Sequence, residues 1–168
     1  MIRLFCGGTF CFDYKQNDYR KKAEDDYRAV LLKDVSLLLE KSDMVMLKED
    51  IAYIGPFYFE ADGMTDTDIV RTELEMIRRC THAVFLLDDG LCPGTIGELM
   101  LAAGLQKTIH IFYIRKEDDE ETESTLHTAC WHPVILSSLI NENTYLHACV
   151  SVAEAKEKIL HIVHALAG

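Results

Sequence analysis

The sequence predicts an α/β protein built around a doubly wound parallel sheet. Short apolar runs alternate with segments whose apolar residues recur at helical spacing, which is the pattern of repeated βαβ units. Two of these runs, residues 2–6 and 83–87, are mostly apolar, and each is followed by a glycine-containing turn. Sheets of this class bind ligands beyond the carboxyl ends of their strands, where the strand order reverses. We therefore expect the two glycine turns to face one cleft.

The elements can be assigned in order along the chain. Strands are predicted at residues 2–6, 44–47, 83–87 and 108–114, an extended aromatic segment at 51–59, and helices at about 27–39, 69–80, 96–105 and 155–166. Ser151 and Glu154 form a capping-box sequence that marks the start of the last helix. In the common strand order 2-1-3-4-5, residues 83–87 form the third of five strands, beside the first.

The composition indicates one soluble globular domain over residues 1–168. No apolar run approaches the roughly 20 residues that span a bilayer, and no signal-peptide pattern opens the chain. We therefore expect a cytoplasmic protein whose six cysteines, none in a Cys-x-x-Cys pair, are reduced thiols. The formal net charge of −11 argues against nucleic-acid polymers and anionic membranes as partners, because both attract basic surfaces. A small-molecule ligand remains compatible with this charge.

Glu98 is the first candidate for chemistry, and its surroundings allow two interpretations. Thr95 and Glu98 have the spacing of a capping box, which is a common way to start a helix. The same geometry would place a carboxylate near the positive end of the helix, where its ionised form is favoured. An ionised carboxylate in a cleft can attack an anomeric carbon as the nucleophile, as in retaining glycosidases.

A second carboxylate would be needed near the leaving group. Glu73 is the candidate, in the helix that precedes the strand at residues 83–87; the alternative is a solvent-facing acid at a helix start. No metal or cofactor is expected. His127, Cys130 and His132 do not have the spacing of a common zinc site, and the Gly7-Gly8 turn lacks both the Walker lysine and a G-x-G-x-x-G pattern.

The motifs resemble those of the nucleoside 2-deoxyribosyltransferase superfamily over residues 2–114. The resemblance is carried by five sequence elements: Phe5-Cys6-Gly7-Gly8, Gly55-Pro56-Phe57, Glu73-Leu74 with Ile77, the strand at 83–87 with Asp88, and Gly94-Thr95-x-x-Glu98-Leu99 with Ala102-Ala103. It implies a flavodoxin-like fold and cleavage of an N-glycosidic bond in a nucleoside. Glu98 would be the nucleophile that forms a covalent deoxyribosyl intermediate, and Glu73 would contact the leaving base.

The resemblance also implies a set of substrate-binding residues. They are Gly7, Gly8, Asp88, Asp89, Cys92, Gly94 and Thr95. Two positions depart from the family pattern. Leu4 aligns with a tyrosine that orients the nucleophile in many relatives. Cys92 lies near the position of an aspartate that contacts the sugar hydroxyls in some relatives, so Asp88 or Asp89 would have to substitute for it. No cation follows the first strand at Gly8, where related nucleotide hydrolases hold a 5′-phosphate, so an unphosphorylated sugar is favoured.

Three functions stay open at this stage. A second base could capture the sugar, as in the transferases, or water could do so, as in related hydrolases of nucleosides or nucleotides. A non-catalytic nucleoside-sensing module is the third possibility. The resemblance further implies a homodimer or larger assembly in which Ser124 or Thr125 of a neighbouring subunit contacts the sugar; the alternative is an ordinary surface loop.

Overall fold

The fold is a six-stranded sheet with helices packed on both faces. The computed structural model describes residues 1–8, 45–48, 50–55, 63–87, 93–114 and 131–166. The strands in these ranges are β1 (Ile2–Gly8), β2 (Val45–Lys48), β3 (Ile51–Tyr53), β4 (His82–Leu87), β5 (Thr108–Ile114) and β6 (Thr144–Cys149). The helices are α1 (Asp66–Arg79), α2 (Pro93–Gly104), α3 (Trp131–Ile140) and α4 (Val152–Leu166). None of these four helices is both long and apolar enough to cross a membrane.

The strand order confirms the predicted fold class. Along the sheet the order is β2-β3-β1-β4-β5-β6. The last five of these strands are all parallel to their neighbours, and β2 pairs antiparallel with β3 at the outer edge. Numbered along the chain, the five parallel strands have the order 2-1-3-4-5, which is the doubly wound, flavodoxin-like arrangement. The antiparallel edge strand is an addition to it.

The predicted second strand exists, but it does not lie beside β1. Residues 44–47 were expected beside β1, but Ile51 is the residue that pairs with Ile2, so β3 occupies that place. Only residues 49 and 50 separate β2 from β3, and so short a connection allows an antiparallel hairpin but no parallel crossover. All three residues of β3 are buried, as a strand next to the sheet centre requires.

The helix starts follow from capping residues. At α1 the Thr65 Oγ1 accepts a hydrogen bond from the Asp68 N–H at 3.2 Å, and an Asp68 carboxylate oxygen accepts one from the Thr65 N–H at 3.2 Å. This box starts the helix at Asp66, three residues before the predicted start. At α4 half of the predicted box is present: Ser151 Oγ accepts from the Glu154 N–H at 3.2 Å, but the Glu154 carboxylate accepts from the Val150 N–H at 2.7 Å. The helix predicted at residues 27–39 lies outside the described ranges.

The sheet separates two apolar clusters, and β1 contributes to both by alternation. Phe5 packs on one face with side chains of β4, α1, α2 and α3, among them Phe85 and Leu99. Leu4 and Cys6 pack on the opposite face, which α4 covers. This division matters for function, because it decides which residues of β1 can approach a group on α2.

Candidate active site

The carboxyl ends of β1 and β4 form the point where the strand order reverses. After β1 the chain builds β2 and β3 on one side of it, and after β4 it builds β5 and β6 on the other side. Gly7 and Gly8 end β1 and pair with Phe85 and Leu86 of β4. In doubly wound sheets the ligand crevice opens at this position. The glycine turn predicted from the sequence therefore lies at the switch point.

Glu98 lies against Gly7 at this point. A Cβ placed on Gly7 would lie 2.9 Å from Glu98 Oε2 and 2.6 Å from Cε1 of Phe85, which is closer than real Cβ contacts come. Gly7 is therefore required because the carboxylate and the ring occupy the volume of a side chain.

The start of α2 decides between the two interpretations of Thr95 and Glu98. The helix begins at Pro93, so Thr95 is its third residue and Glu98 its sixth. Thr95 is buried inside the helix with 5% of its surface exposed, and it is not the capping residue of a box with Glu98. Proline is favoured at the first helical position, which explains the earlier start. The expected effect of the helix dipole on Glu98 is correspondingly smaller, because it decays within the first turn.

Glu73 belongs to the sheet-facing side of α1. It is the eighth residue of the helix, half-buried, and lies one turn before Ile77, which is buried in the cluster that contains Phe85. The predicted placement of Glu73 at a helix start is therefore wrong, and its side chain is half-buried instead of fully exposed. Helices α1 and α2 contact each other, and both contact β1, so Glu73 and Glu98 approach the sheet from the same face.

The position of Glu73 along the direction of β1 follows from the anchored end of α1. Heights are measured from the amino end of β1 toward its carboxyl end. Arg3 Nε donates to the Arg79 carbonyl at 2.5 Å, which fixes the end of the helix beside the amino end of β1. Glu73 lies six residues earlier, about 9 Å higher at 1.5 Å per residue. Gly7 lies four strand residues above Arg3, about 13 Å higher at 3.3 Å per residue. Because helical side chains lean toward the helix N-terminus, the Glu73 carboxylate extends toward the edge where Glu98 lies.

Leu4 does not face the candidate nucleophile. It is fully buried in the cluster under α4, on the opposite face of the sheet from Glu98. A tyrosine at this position would point away from α2, so the alignment of Leu4 with an orienting tyrosine is wrong. The β1 residues on the face of Glu98 are Phe5 and Gly7, since side chains alternate along a strand.

The remaining predicted residues are placed only in part. Gly8 is buried at the end of β1, and Gly94 is exposed near the start of α2, where a Cβ would meet nothing within 4 Å. The other predicted substrate contacts lie outside the described residues: Asp88, Asp89, Cys92, Ser124 and Thr125. Within the described ranges, no group of three or more His, Cys, Asp and Glu side chains has an arrangement suited to a metal ion.

Phe85 is the component of this site that the sequence did not single out. It lies in the middle of an apolar run whose five residues, 83–87, are all buried, so burial does not distinguish Phe85 from its neighbours. Only the pairing of Phe85 with Gly7 places its ring beside Glu98. Register between strands is not readable from one apolar run, so the sequence offers no signal for this contact.

A second concave region lies on the opposite face of the sheet. It is an open cleft of about 470 Å³ between β6 and α4, lined by His147, Glu157, Lys158, His161 and Ile162. Next to it, His110 Nδ1 and His147 Nε2 are 3.0 Å apart, within hydrogen-bonding distance, and the rings are stacked. This cleft contains neither Glu73 nor Glu98, so it is not part of the candidate active site.

Comparison with known proteins finds similar solved structures, among them two enzymes. No protein-family model and no curated protein sequence matches the chain. A CMP N-glycosidase from Clostridium botulinum has 16% identity and a TM-score of 0.47, with 94% of this chain and 96% of that chain covered. A 2-deoxyribosyltransferase from Leishmania mexicana has 20% identity and a TM-score of 0.45, with coverage of 68% and 67%.

Both matches are below 25% identity and below a TM-score of 0.5. At such low identity the similarity is one of fold. Substrate and mechanism have to be argued from the residues of the site.

Proposed function

We propose that this protein cleaves the N-glycosidic bond of 2′-deoxyribonucleosides, with Glu98 as the nucleophile. The observation that carries the proposal is the position of the Glu98 carboxylate over Gly7, at the switch point of the sheet and on the same face as Glu73. Retaining glycosidases need this pair of functions, a carboxylate that attacks and a second carboxyl group that serves the leaving group.

The reaction would proceed in two displacements. A Glu98 carboxylate oxygen attacks C1′ of the sugar, the bond between C1′ and the base nitrogen breaks, and the bonding electrons leave with the base. The carboxyl group of Glu73 supplies a proton to the departing base, so that the base leaves neutral. A nitrogen of a second base, or a water molecule, then attacks C1′ while its proton passes to the Glu73 carboxylate, and the bond between C1′ and the Glu98 oxygen breaks to release the Glu98 carboxylate. No cofactor takes part in these steps.

Transfer to a second base and hydrolysis differ only in the second displacement. Both remain candidates, as does hydrolysis of a nucleotide, because the segment after Gly8 that would meet a 5′-phosphate lies outside the described residues. A nucleoside-sensing module without catalysis is the candidate from another class. The close placement of Glu98 and Gly7 favours an enzyme, because simple binding does not require a carboxylate held at the switch point.

One incubation separates these candidates. The protein is mixed with a 2′-deoxynucleoside and a different free base, and the products are resolved by chromatography. A new nucleoside indicates transfer, and free base alone indicates hydrolysis. Binding by calorimetry with no product would contradict the proposed reaction and indicate a sensor.

The two glutamates give the matching variants. Glu98→Gln should reduce turnover by a factor on the order of 10⁴ or more, because the nucleophile is removed with almost no change of shape. Glu73→Gln should reduce turnover by about 10²–10⁴, the range for a lost general acid. Glu75→Gln is the control for the second variant, since Glu75 is exposed on the same helix and pairs only with Arg78 among the ion pairs of the described residues. Equal rates for the Glu73 and Glu75 variants would exclude Glu73 from catalysis.

A further inference from the structure

The ring of Phe85 borders the space that holds the Glu98 carboxylate. Two ring-edge carbons, Cε1 and Cδ1, lie 2.6 and 2.7 Å from the point where a Gly7 Cβ would be, and Glu98 Oε2 lies 2.9 Å from the same point. Ring edge and carboxylate oxygen therefore border the same point over the backbone of Gly7 and are at most 5.5 Å apart. The edge of an aromatic ring is its electropositive part, so this arrangement suits an anion.

The ring is confined to this position by burial and packing. Phe85 is fully buried in β4, a strand with a parallel neighbour on each side. Its ring also packs on that of Phe5, with ring centroids 6.0 Å apart and planes inclined by 51°. Side chains in a close-packed core transmit displacement to their neighbours instead of absorbing it. The ring is thus a rigid boundary on one side of the flexible Glu98 side chain.

We propose that Phe85 is a positioning residue, whose ring holds the Glu98 carboxylate in the orientation for attack and excludes water from one side of it. The proposal deepens the proposed function and rests on it. A glutamate side chain has three rotatable bonds, and a fixed boundary removes the orientations in which its oxygens point away from C1′. Precise placement of a reacting group contributes strongly to rate, and an error of about 1 Å can cost about 10²-fold.

Phe85→Leu tests this role, and Phe112→Leu is its matched control. Both phenylalanines are fully buried and both changes remove the same ring atoms, but Phe112 belongs to the cluster on the opposite face of the sheet. We expect kcat of Phe85→Leu to fall at least about ten-fold below that of Phe112→Leu, with KM changed by less than about two-fold. Equal kcat values in the two variants would overturn the proposal. Phe85→Met, whose unbranched side chain adapts to irregular core spaces, replaces Phe85→Leu if the latter does not fold, with the same expectation.

A second measurement does not depend on turnover. Carboxylates are coupled to an amine with a water-soluble carbodiimide, and the modification of Glu98 is followed by peptide mass spectrometry. Removal of the ring should accelerate modification of Glu98 several-fold in Phe85→Leu but not in Phe112→Leu, because water and reagent gain access to the carboxylate only when the Phe85 ring is lost. Modification at the wild-type rate in both variants would contradict the ring as a barrier. Accelerated modification in a protein that cleaves no nucleoside would leave the barrier standing and reject the proposed function instead.

Discussion

Gly7 has no side chain, and both Phe85 and Glu98 occupy the volume that a side chain would need. The position of the Glu98 carboxylate therefore depends on Gly7 of β1 as well as on α2. Cys6 and Gly8 flank Gly7 and belong to the other face of the strand, so neither can take over this role.

Gly7→Ala should impair both stability and activity. The added methyl group would lie 2.6 Å from the Phe85 ring and 2.9 Å from Glu98 Oε2, so ring or carboxylate must shift. We expect a loss of about 1–3 kcal/mol in the free energy of unfolding, typical of overpacking, and a fall in kcat with it. Gly97→Ala is the control, because nothing lies within 4 Å of its Cβ position and alanine favours a helix. Unfolding followed by circular dichroism, with kcat in parallel, checks both; a fully stable and active Gly7→Ala would contradict the packing described.

At the scale of secondary-structure elements, the sequence predicted the strands and helices that can be recognised from their own residues. The runs at β1, β4 and β5 have buried residues on both faces and are mainly apolar, with Arg3 and His110 as interruptions. Ser151 marked the start of α4 correctly. The strand β6 was not predicted, because Tyr145 and Leu146 are exposed at the sheet edge and polar residues interrupt the run. An edge strand needs less burial, and its pattern is correspondingly weak.

The candidate site was predictable in kind but not in detail. Two motifs, Gly7-Gly8 and the Gly94-to-Glu98 segment, follow adjacent strands in a doubly wound sheet, and this topology alone brings them to one edge. The faces of the strands were not predictable in the same way. Leu4 and Phe5 are both apolar, so only the three-dimensional packing shows that Phe5, and not Leu4, lies on the face of Glu98.

The histidine pair between β5 and β6 should make stability depend on pH. Burial, together with His147 and His82, lowers the pKa of His110 to about 4, and burial also lowers the pKa of His147. The folded state then binds fewer protons than the unfolded state, whose histidines titrate near pH 6.5. Stability is therefore full above that pH, and it falls as the pH drops from 6.5 toward 4.

His110→Phe is the variant that tests this dependence. The aromatic ring can keep the stacking with Tyr145 and His147 while losing the titrating nitrogens. We expect its melting temperature to fall less between pH 6.5 and 4.5 than that of the wild type. His132→Phe, on the exposed side of α3, should keep the wild-type dependence. The same slope in His110→Phe and wild type would show that another group controls the acid sensitivity.

At the scale of the whole molecule, assembly is the main open prediction. A cleft at the edge of a small domain is open to water, which competes with an acceptor base for the glycosyl intermediate. A neighbouring subunit that supplies Ser124 or Thr125 would cover it, and a homodimer with composite sites is the simplest arrangement. The net charge of −11 opposes self-association, so the dimer should strengthen as salt screens this repulsion.

Sedimentation at micromolar concentration measures the assembly directly. We expect a dimer or larger species whose fraction increases with ionic strength. Mixing an inactive Glu98→Ala chain with an inactive variant altered at Ser124 and Thr125 should restore activity. Some mixed dimers then contain one site with Glu98 from one subunit and unaltered Ser124 and Thr125 from the other. A fully active monomer, or no restoration in the mixture, would contradict composite sites.

The central claim is that Glu98 bonds covalently to the sugar during the reaction, and trapping that intermediate tests it most directly. The protein is mixed with a 2′-deoxynucleoside, quenched in acid within a turnover and digested, and the peptides are analysed by mass spectrometry. We predict a deoxyribosyl group on Glu98 in the wild type and in Glu75→Gln, and none in Glu98→Gln. Turnover without an adduct on Glu98, or an adduct on another residue, would contradict the claim.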